Sequence, residues 1–206
     1  MSSGNRVDRD FFARPARIVA KSLLGKDLVH NSDVGLIKGK IVETEAYCDT
    51  DQLDLACHGD RSNSGRPTER TKVMFGPPGY AYVYFTYGMH WMFNIVTGVK
   101  GQANAVLLRA LEPLEGLSIM TRNRKNLPLE QLTNGPAKLA QALAIDNSLN
   151  GTDLCLDNSV IWIEDNQPTK KMTICSGPRI GLGNTPEPWL SVPWRFWIRS
   201  NPFVSR

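Results

Sequence analysis

Residues 36–47 read Leu36-Ile37-Lys38-Gly39-Lys40-Ile41-Val42-Glu43-Thr44-Glu45-Ala46-Tyr47. No proline interrupts the run and β-branched residues recur, so it predicts one long strand. At a period of two, Ile41, Glu43, Glu45 and Tyr47 share one face, and Val42, Thr44 and Ala46 share the other. Upstream, Ala16 to Leu24 predicts a helix. Pro15 suits its first turn, Ala16, Val19, Ala20 and Leu23 fall on one face, and Gly25 offers a stop. Downstream, the polar stretch from Cys48 to Lys72 is too long for a tight connection, and such loops are usually functional or hold short helices.

Beyond it, Gly76-Pro77-Pro78-Gly79 marks a sharp turn. Tyr80 to Thr86 predicts a strand, Tyr87-Gly88 the tip of a hairpin, and Met89 to Val96 its return. Asn104 to Ala110 predicts another strand. A helix is expected from about Leu114 to Arg124, with acids early and bases late. Asn134 is expected to cap a further helix with Leu139, Ala142 and Leu143 inward. Val160–Ile163, Met172–Cys175 and Arg195–Arg199 complete the strands, and Pro186, Pro188 and Pro193 keep the segment before the last one irregular. Helices do not alternate regularly with strands, which disfavours a doubly wound parallel sheet. The pattern predicts an α+β fold, a single mixed domain over residues 1–206 with a curved, largely antiparallel sheet and packed helices.

The 206 residues, 41% apolar and 21% charged, suit one globular domain rather than a disordered chain. No apolar run approaches the ~18 residues of a membrane span, and Met1 to Phe11 lacks the apolar centre of an export signal. A cytoplasmic location is expected, nucleoid-associated if the source is prokaryotic. The four cysteines (Cys48, Cys57, Cys155, Cys175) show no Cys-x-x-Cys spacing and are expected to be reduced and structural. Cys57-His58 near Cys48 invites a zinc reading, but the three histidines show no ligand spacing, so no metal and no cofactor are expected. The net charge of +4 is mild. Arg61, Arg66, Arg70 and Lys72 share one loop, and Arg122, Arg124 and Lys125 cluster again. Glu43, Glu45, Asp49, Asp51 and Asp54 form an acidic island between basic stretches. A basic surface around an acidic pocket suits an enzyme that holds a phosphate backbone during acid–base chemistry. Solvated loop charges explain the same pattern.

Glu43 and Glu45 could be ordinary acids on an exposed strand face. Alternatively, a carboxylate beside aromatic Tyr47 at a strand end could be a general base. All five tyrosines fall between Tyr47 and Tyr87, which β-propensity partly explains. Tyr87, at a hairpin tip, does not suit a core; an exposed aromatic there can wedge between stacked bases. Arg109 lies in an apolar strand with Leu107 and Leu111 on its face. A buried guanidinium needs an acidic partner, with Glu112 or Glu115 within reach, or an anionic ligand.

Together these segments resemble the alkyladenine, or 3-methyladenine, DNA glycosylase family. The resemblance is carried by Ile41–Tyr47, by Met74-Phe75, Pro78-Gly79, Tyr82-Val83-Tyr84, Tyr87-Gly88-Met89 and Asn94, and by Val106–Gly116. Asn134–Leu139, Gln141–Ile145, Arg179–Gly183 and the closing Arg195-Phe196, Pro202 and Val204-Ser205 extend it over almost the whole chain in order. It implies a fold like the C-terminal domain of formyltransferases. It also implies a monomer that lies along the minor groove of double-stranded DNA containing a damaged purine. Tyr87, with Met89 beside it, would replace the extruded nucleotide. The base would sit between Tyr47 on one side and Tyr84 with His58 on the other. Glu45 would deprotonate the attacking water, assisted by Arg109 and the carbonyl at Ile180. Asn94, on the pocket floor, would clash with the amino group of normal guanine. The chain departs from the family between His58 and Met74, where Pro67-Thr68-Glu69-Arg70 replaces a Thr-Pro-Arg order. It lacks the mammalian N-terminal extension, and His90-Trp91 is similar to bacterial members. Two other classes stay open: a module that binds damaged DNA without hydrolysing it, and a binding domain of the formyltransferase type.

Overall fold

The computed structural model describes residues 5–48, 54–59, 67–165 and 172–205. Asp49, Asp51, Arg61 and Arg66 lie outside the described residues. The strands are β1 (Asn5–Arg6), β2 (Asp27–Ser32), β3 (Gly35–Tyr47), β4 (Ala81–Thr86), β5 (His90–Val96), β6 (Ala105–Glu115), β7 (Ile161–Asp165), β8 (Ile174–Gly177) and β9 (Arg195–Ile198). The α-helices are α1 (Arg9–Phe12), α2 (Ala16–Leu23), α3 (Leu117–Asn123) and α4 (Pro136–Ala142). The strands join in one curled sheet, ordered β1-β7-β2-β3-β6-β5-β4, with β9 added to β3 and β8 to β9. Every strand pair is antiparallel. The architecture is therefore mixed α+β, with few helices, as the pattern predicts.

The decisive segment forms β3, the 13-residue centre of the sheet. It pairs with β2 over its first half, with β9 over Glu43–Glu45, and with β6 along most of its length. The register with β6 slips three times, once between Lys38 and Gly39, where Leu114 is left extra on β6, and twice nearer the acids. Ile41 pairs with Leu111 and Glu43 with Ala110, which leaves Val42 extra on β3; Thr44 then pairs with Leu108, which leaves Arg109 extra on β6. Such bulges bend a strand and re-aim its side chains. Here they overturn one expectation from simple alternation. Ile41 does not share the face of Glu43 and Glu45; it joins the main core with Ala46. Val42 packs in a separate cluster with Ala110 and Phe203.

The main core lies between one face of the sheet and helices α2 and α4, built from Val19, Leu23, Ile41, Leu108, Leu111, Leu139 and their neighbours. Thr44 is fixed from that side, its hydroxyl donating to the Ala20 carbonyl at 2.9 Å. A second cluster, Cys57, Met74, Tyr82, Val96, Ala103 and Ala105, supports Tyr47 and Tyr84.

Helix α2 starts at Ala16 as expected and ends one residue early, at Leu23, with Leu24 extended and Gly25 in the left-handed region after it. The helix expected from Leu114 begins instead at Leu117, because β6 continues to Glu115 against β3 and left-handed Gly116 makes the corner. Asn134 does not cap α4. Extended Gly135 occupies that position, and the Asn134 side chain accepts from Lys138 Nζ at 2.8 Å. Leu139, Ala142 and Leu143 are buried as expected. Cys48 and Cys57 are buried, and Cys155 and Cys175 partly so. No described helix is long and apolar enough to cross a membrane.

Candidate active site

Because of the bulges, Glu43, Glu45 and Arg109 converge. Arg109 Nε donates to Glu43 Oε1 at 3.1 Å, and its Nη1 lies 3.1 Å from Glu45 Oε1. Neither Glu112 nor Glu115 is its partner. Glu112 turns to Asn201 and Lys40, because those acids stand on the outer stretch of β6, beyond the bulge. Both β3 acids are 0% exposed, so the exposed-face explanation of Glu43 and Glu45 does not hold.

The two carboxylates have different surroundings. Glu43 also accepts from Arg195 Nη1 at 3.0 Å, from the Ser205 N–H at 2.7 Å and from its hydroxyl at 2.8 Å. Three of its four donors share Oε1, and it faces the C-terminal segment. Glu45 accepts from the Ile180 N–H at 2.7 Å on Oε1 and from the Tyr47 hydroxyl at 2.9 Å on Oε2. With Arg109 also on Oε1, Oε2 has one of its two acceptor positions open among the described residues. Burial pushes the Glu45 carboxyl above the usual range, while Arg109, the Ile180 amide and the Tyr47 hydroxyl pull it back and Glu43 adds to the rise. Arg109 itself is disfavoured by burial, but Glu45 and Glu43 outweigh that and raise it.

A cavity of about 440 Å³ is lined by Tyr47, His58, Tyr84, Asn94, Arg109 and Ile180 among others, within the range of small-ligand sites. Glu45 does not line it but touches its wall through Tyr47, Arg109 and Ile180. Tyr84 comes from β4 and meets the His58 ring edge-on at 4.7 Å between centroids. His58 Nδ1 lies 3.2 Å from the Tyr82 hydroxyl. Desolvation, with Arg70 nearby, lowers the His58 pKa, and burial pushes the Tyr84 phenol up to about 12. Both rings are thus neutral at physiological pH. Asn94 is buried, its amide donating to the Tyr82 carbonyl at 3.1 Å. Ile180 meets Glu45 through its N–H, whereas its carbonyl was the group expected to help there.

Tyr87 borders the cavity and is 77% exposed; Met89, two residues on, is 66% exposed. Tyr87 (φ 52°) and Gly88 (φ 68°) both adopt left-handed backbone in a turn closed by the Met89 N–H to the Thr86 carbonyl. That conformation suits the twist of the flanking strands. It costs about 1 kcal/mol or more for a residue with a Cβ. Behind the tip, Phe85 and Trp91 pack at 4.7 Å between ring centroids.

The pattern of residues did not point to Asp54, Arg179, Arg195 or Ser205 as site components. Arg179 makes a two-pronged pair with Asp54 at 2.6 and 2.8 Å, both side chains without exposure. Arg195 stands opposite Glu45 in the β3–β9 register, a neighbour no local pattern reveals. The supposed acidic pocket is in fact balanced: Glu43, Glu45 and Asp54 are met by Arg109, Arg195 and Arg179. Of the loop bases, Lys72 pairs with Glu69, and Arg70 lies over the Tyr84 ring at 5.0 Å. Cys57 donates to the Ala103 carbonyl rather than facing His58, and no group of three metal-binding side chains occurs among the described residues.

The family model described as methylpurine-DNA glycosylase matches residues 10–202. A protein of Carboxydothermus hydrogenoformans named "Putative 3-methyladenine DNA glycosylase" is 47% identical over 200 residues, 97% of this chain and 98% of its own. Same-named proteins of Prosthecochloris aestuarii and Desulfitobacterium hafniense are 45% and 41% identical over 202 and 208 residues. They span 98% and 97% of this chain, and 91% and 98% of their own. Fold, pocket and matches together define a DNA glycosylase, a hydrolase of N-glycosyl bonds. The chain belongs to the methylpurine-DNA glycosylase family.

Proposed function

We propose that residues 1–206 act as a single-domain, monomeric, monofunctional glycosylase on duplex DNA. It flips alkylated or deaminated purines out of the helix and releases them, the first step of base excision repair. One observation carries this reading: the buried carboxylate of Glu45 is held by Tyr47, Arg109 and Ile180, three residues that line an aromatic cavity which the exposed Tyr87 also borders. A base must leave the stack before its glycosidic bond is accessible, at a cost of a few kcal/mol. Tyr87, backed by Met89, fills the gap, and the strained turn presents the ring ready to insert. The extruded base stacks between Tyr47 and the Tyr84–His58 pair, and a cationic alkylpurine gains extra attraction from the ring faces.

Water donates a hydrogen bond to the open position on Glu45 Oε2. Its oxygen bonds to the sugar carbon as the bond to the base nitrogen breaks, and its proton passes to Glu45. The negative carboxylate also offsets positive charge on the sugar in the transition state. A cationic purine departs as a neutral base, whereas hypoxanthine or ethenoadenine also needs a proton. Asn94 excludes the amino group of normal guanine. No cofactor takes part. Such an enzyme works in the cytoplasm at the nucleoid, and the curled sheet suits a fold of the formyltransferase C-terminal type.

Duplex oligonucleotides bearing 3-methyladenine, hypoxanthine or ethenoadenine, scored for abasic sites, provide the test. Wild type is expected to release at least one lesion, and Glu45→Gln to bind without turnover. Release by Glu45→Gln at the wild-type rate would remove Glu45 as the base. Covalent trapping of the protein on DNA by borohydride would overturn the water mechanism.

A further inference from the structure

Arg179 is held from several directions. Its Nη1 donates to Asp54 Oδ2 at 2.6 Å and to the Ala46 carbonyl at 3.0 Å. Its Nη2 donates to Asp54 Oδ1 at 2.8 Å and to the Trp189 carbonyl at 3.2 Å. The guanidinium lies 4.7 Å from the Tyr47 ring centre and 5.1 Å from that of Trp194. Asp54 is fixed in turn by the backbone N–H groups of Cys48 and Ala56. The next residue after Arg179 supplies the N–H on Glu45 Oε1. Strand β8 has ended at Gly177, and left-handed Gly181 follows Ile180, so no ladder fixes the direction of that amide. The segment is anchored by two side chains: Arg195 Nε on the Pro178 carbonyl at 2.9 Å, and Arg179 on Asp54.

We propose that Asp54 and Arg179 form a positioning clamp that holds the Ile180 amide against Glu45, fixing the orientation of the carboxylate from two residues that meet neither base nor sugar. The inference rests on Glu45 being the general base. Breaking a fully desolvated ion pair has consequences beyond local stability. When the clamp fails, Ile180 withdraws and Glu45 loses a donor to its charged form. The other groups facing Glu45 are Glu43 and Tyr47 on β3, Tyr84 on β4, Arg109 on β6, Arg195 on β9 and Arg179 itself, whose charge favours the carboxylate and whose displacement adds to the loss. The carboxylate then protonates more readily and points less consistently at the water.

The test is single-turnover excision of hypoxanthine from a duplex, followed from mildly acidic to neutral pH, with lesion binding measured separately. Asp54→Asn keeps the shape of the side chain and the charge on Arg179. It is expected to lower the maximal rate about 10- to 100-fold, the usual penalty for slight misplacement. The acid limb of the profile should move to higher pH while affinity for lesion DNA stays at the wild-type level. Asp54→Glu retains both charges but displaces the guanidinium, and should move the limb in the same direction if Asp54→Asn does not fold. Arg179→Lys, which cannot make a two-pronged pair, should resemble Asp54→Asn. A loss confined to affinity, or a slower rate with an unmoved acid limb, overturns the clamp. Wild type and Glu45→Gln serve as controls. If wild type is inactive, or Glu45→Gln turns over normally, it is the general-base assignment that fails.

Discussion

Replacing Arg109 with methionine keeps most of the side-chain volume and deletes a charge shared by two buried carboxylates. Removing one partner of a buried pair typically costs about 3–5 kcal/mol, because the remaining charge is stranded. Here the cost should be smaller. Glu43 retains Arg195 and both Ser205 donors, and Glu45 retains the Ile180 amide and the Tyr47 hydroxyl. About 2–3 kcal/mol is a reasonable expectation, mostly at Glu45. For a chain of this length that lowers the melting temperature by about 4–12 °C. The pH dependence has a definite sign. Glu45 is already raised by burial, and Arg109 is the strongest influence holding it down; without the arginine it rises further. A carboxyl raised in the folded state contributes its full stability below its unfolded value, and that contribution is lost as pH rises through the folded value. The deficit of Arg109→Met against wild type should therefore be larger at mildly alkaline than at mildly acidic pH. Thermal unfolding of wild type, Arg109→Met, Glu45→Gln and the double variant decides the matter. In the double variant the stranded charge is gone, so part of the loss should return. A double variant no more stable than Arg109→Met, with deficits equal at both pH values, would refute the assignment of the loss to Glu45.

Three further outcomes follow from the geometry. Tyr87→Ala should leave the unfolding free energy within about 0.5 kcal/mol of wild type, since the ring is 77% exposed, while excision of stably paired lesions falls; equal excision of paired and unpaired lesions would contradict the wedge. Asn94→Ser removes the amide donor to the Tyr82 carbonyl and enlarges the floor. It should cost about 1–2 kcal/mol and permit release of normal guanine, scored as abasic sites in undamaged duplex. Gly79→Ala would place a Cβ 2.6 Å from the Cys155 sulfur at φ +85°, so a clear drop in melting temperature, without a change in lesion preference, is expected.

What the sequence made legible was mostly local. The span of β3, the hairpin turn and α2 followed from periodicity, proline and glycine, each acting within a few residues. The register slips around Val42 and Arg109 depend on two strands more than sixty residues apart, and simple alternation put Ile41 on the wrong face. The same distance hid the partner of Arg109, because nearby Glu112 and Glu115 were more obvious than Glu43. Strand β2 had no strong alternation to announce it, and β6 overran its expected end because β3 offered it a ladder as far as Glu115. Tyr47, Tyr84, Asn94 and Arg109 were nameable from motif order, whereas Asp54, Arg179, Arg195 and Ser205 act only through folded geometry.

The arrangement also explains why two acids two residues apart need not be interchangeable. A base must be ionised at the working pH yet keep enough affinity for a proton to accept one from water. Glu43 meets four donors from Arg109, Arg195 and Ser205, three of them on Oε1, and faces the C-terminal segment. Glu45 has three donors among the described residues, an acceptor position open on Oε2, and burial working against its charge. Donors that hold a carboxylate too tightly weaken it as a base, while too few would leave it protonated in a dry site. Arg109 joins the two requirements. Glu43 fixes its guanidinium through Nε, and Nη1 is then presented to Glu45 as a tethered charge rather than a mobile one. Substituting Glu43 should therefore impair turnover through Arg109, although Glu43 itself faces away from the pocket.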